Sequence, residues 1–112
     1  MNAAVLAFSL VLASQVFLSQ SSPALGHFRG VVQDVKGSKI REARITVTGE
    51  AGFQKRFVSN KKGQFELYLL PGIYRILVEK SGFANYELTH LEIKSNASEE
   101  FVFKLERRNP QS

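Results

Sequence analysis

The chain has 112 residues, with 44% hydrophobic and 22% charged residues, which is room for one globular domain with one core. It has no cysteine, and this excludes disulfides, a thiol nucleophile and a lipid-modified N-terminal cysteine. The formal net charge is +5, and every charged side chain falls between Arg29 and Arg108, so the chain divides into an uncharged leader and a charged body.

Ala3 to Leu18 is apolar and is followed by the small polar run Ser19 to Ser22, the pattern of an export signal with cleavage after Ala24 or Gly26. Met1-Asn2 carries no Lys or Arg, a departure from that pattern. The stretch is short of the roughly 20 apolar residues of a membrane span, so a retained anchor is the second choice. Residues 1–26 are thus expected to be a signal peptide, residues 27–106 a folded domain, and residues 107–112 a frayed tail.

Seven strand candidates then follow at the spacing of an all-β sandwich. The first spans about His27 to Val35 and closes at Lys36-Gly37-Ser38. The second, Ala43 to Thr48, turns Ile45 and Val47 inward. The third is Gln54 to Ser59, ended by Asn60-Lys61-Lys62-Gly63. A strand over Gln64 to Leu69 and another carrying Tyr74, Ile76 and Val78 flank Pro71-Gly72, which reads as a tight turn. The sixth, Tyr86 to Lys94, changes phase between Leu88 and Leu91, which calls for a bulge near Thr89-His90. In the last, Glu99 to Glu106, Phe101, Phe103 and Leu105 share one face.

An ordered set of motifs runs through these strands: Gly30-x-Val32-x-Asp34, Gly37, Ala43-x-Ile45-x-Val47, Gly63-x-Phe65-x-Leu67, Leu70-Pro71-Gly72-x-Tyr74 and Gly82-Phe83. From Phe28 to about Leu105 the chain resembles the carboxypeptidase regulatory-like domain. The resemblance implies a seven-stranded, antiparallel, Greek-key sandwich of the transthyretin-like (prealbumin-like) kind, a fold grouped with carbohydrate-binding-like domains. It implies an accessory module of exported proteins with no catalytic residue, so Gly30, Val32, Asp34, Gly63, Phe65, Leu67, Pro71, Gly72 and Tyr74 are structural first.

Chemistry is sparse. There are two histidines, His27 at the start of the domain and His90 in the sixth strand, neither with an obvious partner acid. No zinc cluster, calcium loop or phosphate loop is visible, so no catalytic residue, metal or cofactor is expected. Leu77-Val78-Glu79-Lys80 is similar to the stretch that assists isopeptide formation in Cna-B repeats, but the reactive Lys and Asn are missing from the first and last strands.

Binding is the remaining class. Tyr68, Leu70 and Leu77 are out of phase with the core, and Phe53 and Phe83 are loop aromatics; together they are the candidate contact residues, although Phe83 fits better as a plug at the sandwich end. The partner expected is another envelope or extracellular protein, or a polysaccharide, and the location secreted or periplasmic. The leader argues against nucleic acid, and a membrane enters only if the leader is retained. The cations fall largely in or beside turns, where Lys is solvated and keeps sheet edges apart.

Overall fold

The computed structural model describes residues 24–108. Residues 1–23 of the expected leader and Asn109–Ser112 lie outside the described residues. Seven strands form two sheets: β1 (Gly26–Asp34), β2 (Arg44–Thr48), β3 (Gln54–Val58), β4 (Gln64–Leu69), β5 (Gly72–Glu79), β6 (Tyr86–Ile93) and β7 (Ser98–Leu105). One sheet has the order β4-β1-β7 and the other β3-β2-β5-β6. Among the described residues no helix is long and apolar enough to cross a membrane.

The core is the pair of inner faces that the alternation foretells. Phe28 and Val32, Ile45 and Val47, Phe65 and Leu67, Ile76 and Val78, and Phe103 and Leu105 are all buried. Phe28, Phe65 and Phe103 pack with ring centroids 5.7–6.4 Å apart, an aromatic centre around which the aliphatic residues close. Gly30 lies directly opposite Phe65, and a Cβ there would sit 2.2 Å from the Phe65 ring. Its role is to make room for that ring rather than to form a bulge, so the Gly30 and Phe65 motifs are one packing device.

Two connections differ from the sequence reading. Pro71-Gly72 does not join a hairpin: β4 pairs with β1, β5 pairs with β2 and β6, and the chain crosses between sheets at Leu70-Pro71. A hairpin and a corner put the same alternate residues inward, so local phase cannot separate them. One ladder also departs from the antiparallel expectation. β1 and β7 run parallel, from His27↔Ser98 to Asp34↔Leu105, because β6 finishes at the end of the sandwich where β1 starts and β7 turns straight back from there.

The bulge lies where it is expected. Tyr74 pairs with Leu91 and Ile76 with Leu88, leaving Thr89 and His90 opposite Arg75, with His90 at φ 56°. Arg107 and Arg108, expected in the tail, are tied in: Arg107 bridges Phe83 and the Arg108 amide donates to the Gly82 carbonyl.

The strands alternate in direction along one axis, which gives the sandwich two unlike ends. At one gather Leu25, the β2–β3 loop and the β4–β5 corner. At the other lie the β1–β2 and β3–β4 turns, the β5–β6 turn and the last residues of β7.

Candidate functional site

At the first end the chain builds a groove of about 350 Å³ lined by Leu25, Phe53, Tyr68, Leu70, Ile73 and Tyr74, with Glu50 and Lys55 at its rim. A 3-10 turn over Glu50–Gly52 lifts Phe53 into position. In it the Phe53 amide donates to the Glu50 carbonyl at 3.1 Å, and the Gly49 amide donates back to the Phe53 carbonyl at 3.0 Å. Phe53 meets Tyr74 edge to face, with centroids 5.8 Å apart. The Tyr74 hydroxyl donates to the Leu70 carbonyl at 2.7 Å and so pins the corner. Burial, and then the Glu50 carboxylate, push the Tyr74 phenol above its ordinary value, so it remains a donor through neutral pH.

Tyr68 stands on the outer face of the three-stranded sheet, 61% exposed. Its ring stacks on its cross-strand partner His27 at 4.6 Å and 8° between planes. His27 Nε2 is 3.2 Å from Glu66 Oε1, Arg29 Nε lies 3.8 Å from the same oxygen, and Ser98 Oγ is 3.5 Å from His27 Nδ1. His27 therefore does have a partner acid, supplied by a strand 39 residues away in sequence. The order Ser98, His27, Glu66 imitates a hydrolase relay. Yet the Ser98 contact is at the limit of a hydrogen bond, and Glu66 is shared with Arg29 on an open sheet face. The row meets Tyr68 through the His27 ring stacked on it.

Of the five candidate contact residues, the structure brings Phe53, Tyr68 and Leu70 together at this groove. Leu77 is elsewhere, half-buried on the outer face of the four-stranded sheet between Thr46 and Glu87. Phe83 is 8% exposed at the opposite end, capped by the Arg107 guanidinium 4.9 Å from its ring centre; it is core and leaves the candidate set. The sequence reading missed Leu25 and Ile73, 47% and 43% exposed. Ile73 was legible, since it is out of phase with Tyr74, Ile76 and Val78. Leu25 was not, because its place follows from the pairing of Gly26 with Leu69.

Among the described residues no group of three or more His, Cys, Asp or Glu side chains is placed to hold a metal ion. Glu79 pairs with Arg44, and Lys80 donates to the Arg41 carbonyl.

The sequence profile of the carboxypeptidase regulatory-like domain matches residues 27–106. The chain belongs to that family. Among solved structures this carboxypeptidase regulatory-like domain is similar to the Bacillus anthracis TIE protein, at 23% identity and TM-score 0.64 over 75% of this chain and 17% of that one. It is also similar to a candidate carbohydrate-binding protein of Bacteroides uniformis, at 16% identity and TM-score 0.59 over 70% of this chain and 40% of that one. A third likeness is to catechol 1,2-dioxygenase from Acinetobacter sp. ADP1, at 9% identity and TM-score 0.64 over 81% and 55%. The domain spans less than two thirds of each of these neighbours, and at such identities the likeness is one of fold. No curated protein sequence matches the chain at comparable significance.

Proposed function

We propose that this domain is a non-catalytic, exported module that associates with another protein of the cell envelope or extracellular space through the groove at the β4–β5 corner. One observation carries the proposal: five exposed large apolar side chains, Leu25, Phe53, Tyr68, Leu70 and Ile73, converge on one end. Scattered exposed apolar residues are ordinary, whereas a contiguous rim of them marks a contact surface. The mixture is aliphatic and aromatic, which suits a protein partner better than a sugar. Burying roughly 300 Å² of such surface contributes about 7 kcal/mol, against an association cost of about 4–15 kcal/mol. The partner must therefore add polar contacts of its own, and Glu50 and Lys55 are in place to meet them.

Export is part of the reading and is supported by the apolar leader. Of the two cleavage sites, the fold favours the one after Ala24. Gly26 is already in β1, paired with Leu69 and packed so closely that a Cβ there would come within 2.4 Å of Ile93. A cut after Gly26 would remove that strand residue and Leu25 from the groove.

The test uses cross-linking in the native host's envelope to identify the neighbour, followed by titration of the purified pair. Leu70→Ser with Ile73→Ser is expected to weaken binding roughly tenfold with little change in melting temperature. Equal affinity of variant and wild type would remove the groove from the account. A carbohydrate reading is favoured by the stacked, exposed Tyr68 ring and predicts that Tyr68→Ala loses retention on an immobilised polysaccharide. N-terminal sequencing of the extracytoplasmic protein is expected to begin at Leu25; an intact Met1 in the membrane fraction would make this a tethered domain.

A further inference from the structure

The net charge is not spread over the molecule. The β1–β2 connection carries Lys36, Lys39 and Arg41, with Arg44 at the start of β2; the β3–β4 turn carries Lys61 and Lys62. Lys80 follows β5, and Lys104, Arg107 and Arg108 end the described chain. All these positions fall at the end of the sandwich opposite the groove. They are ten of the fifteen cations, set against four of the ten acids, Asp34, Glu42, Glu79 and Glu106. Six more cations than acids at this end, and one fewer over the rest of the domain, account for the whole +5.

The turns that carry these cations touch one another. The Val32 amide donates to the Gly63 carbonyl and the Ile40 amide to the Val32 carbonyl, which seats the Lys61-Lys62 turn against the Lys39–Arg41 segment. Lys80 Nζ donates to the Arg41 carbonyl at 3.0 Å, and the Arg108 amide to the Gly82 carbonyl at 2.9 Å. Among the described residues only Arg44 of these ten lies at ion-pair distance from a carboxylate, at 4.0 Å from Glu79. The result is one continuous cationic cap with exposed Lys36, Arg41, Lys61, Lys62 and Arg108 turned to solvent. A single-sign surface of this kind draws in polyanions, and its field is felt over about one Debye length, roughly 8 Å.

We infer that this cap is a second binding surface, separate from the groove, for an anionic polysaccharide bearing carboxylate or sulfate groups. A lipid surface would require apolar side chains on the same face as the cations. At the cationic end the exposed large hydrophobics are Val35 and Val58 alone, with no exposed aromatic or leucine beside them, whereas the five-residue apolar rim lies at the other end of β1, about 30 Å away along its nine residues. The choice of a glycan over nucleic acid rests on the exported location proposed above, and N-terminal sequencing tests that location independently.

The experiment is affinity electrophoresis of the full chain through gels containing heparin, polygalacturonate or, as a neutral control, amylose, at about 0.15 M salt. Two variants of equal charge change are compared: Lys36→Gln, Lys61→Gln, Lys62→Gln in the cap, and Arg56→Gln, Arg75→Gln, Lys94→Gln outside both the cap and the groove. All six side chains are exposed, and melting curves matching wild type show that both variants fold. The expected result is retardation of wild type by heparin or polygalacturonate but not amylose. The cap variant should weaken it roughly tenfold and the outside variant should leave it nearly unchanged. Equal weakening by both variants would mean that net charge alone is at work and would overturn the site. Absence of retardation by either polyanion would overturn it too. Tighter binding to phosphatidylglycerol vesicles or to double-stranded DNA than to either glycan would overturn the assignment to polysaccharide.

Discussion

The two ends of the sandwich solve the same problem, returning the chain between strands, with opposite materials. At the cationic end the turns satisfy their own backbone. Asp34 Oδ1 accepts from the Lys36 and Ser38 amides, and Asn60 Oδ1 accepts from the Lys62 and Gln64 amides, all at 2.9 Å. Buried Ser59 accepts from the Ala43 amide and donates to the Ile40 carbonyl. At the groove end the corner is held by one tyrosine hydroxyl and by apolar contact, and large hydrophobic side chains are left outside. The first arrangement is what a stable isolated domain needs. The second leaves apolar surface that folding has not used, which is why the groove rather than the cap is assigned to a protein partner.

If that contrast is correct, the cationic end should be the more costly one to disturb. The largest effect is expected from Gly63→Ala. Gly63 has φ +74°, and a Cβ there would lie 2.5 Å from the Val32 carbonyl oxygen, so the change is expected to cost about 3 kcal/mol in urea unfolding. Next is Ser59→Ala, which strips two buried backbone groups of their partner; a loss of about 2 kcal/mol is expected, and a loss too small to measure would show that the turns rearrange freely. At the groove end, Tyr74→Phe keeps the ring and its contact with Phe53 but frees the Leu70 carbonyl to water. A loss of about 1 kcal/mol is expected, with weakened partner binding as the corner loosens.

The smallest effect separates the ends by pH. The Ser38 amide foremost, with the Lys36 amide and Arg107 also favouring the ionised form, holds the Asp34 carboxyl below its ordinary 3.8. A carboxyl lowered in the folded state stabilises fully above its unfolded value, and that contribution disappears as pH falls through the folded one. Asp34→Ala is therefore expected to lower the melting temperature at neutral pH, and the part of that difference due to charge should vanish in strong acid. A gap independent of pH would assign Asp34 to geometry alone.

How much of this was legible in the sequence depends on the range of the interaction. Strand phase is set by neighbours two residues apart, so the inward set from Phe28 to Leu105, the bulge at Thr89-His90 and the exposure of Tyr68 and Leu70 were all readable. So was the family, because its motifs mark obligatory turns and packing sites. Phe83 was readable as a plug, and the structure places it so. Strand partners were beyond reach: the parallel β1–β7 ladder and the sheet-crossing at Pro71 depend on contacts tens of residues apart.

The sequence by itself determined an all-β sandwich with a core of alternating aliphatic and aromatic residues, since period-two burial is a local consequence of the extended backbone. Only the tertiary structure decided that Leu25, Phe53, Tyr68, Leu70 and Ile73 share one end and that ten cations share the other. Those groupings arise where seven strands of alternating direction deliver loops from distant parts of the chain to a common place.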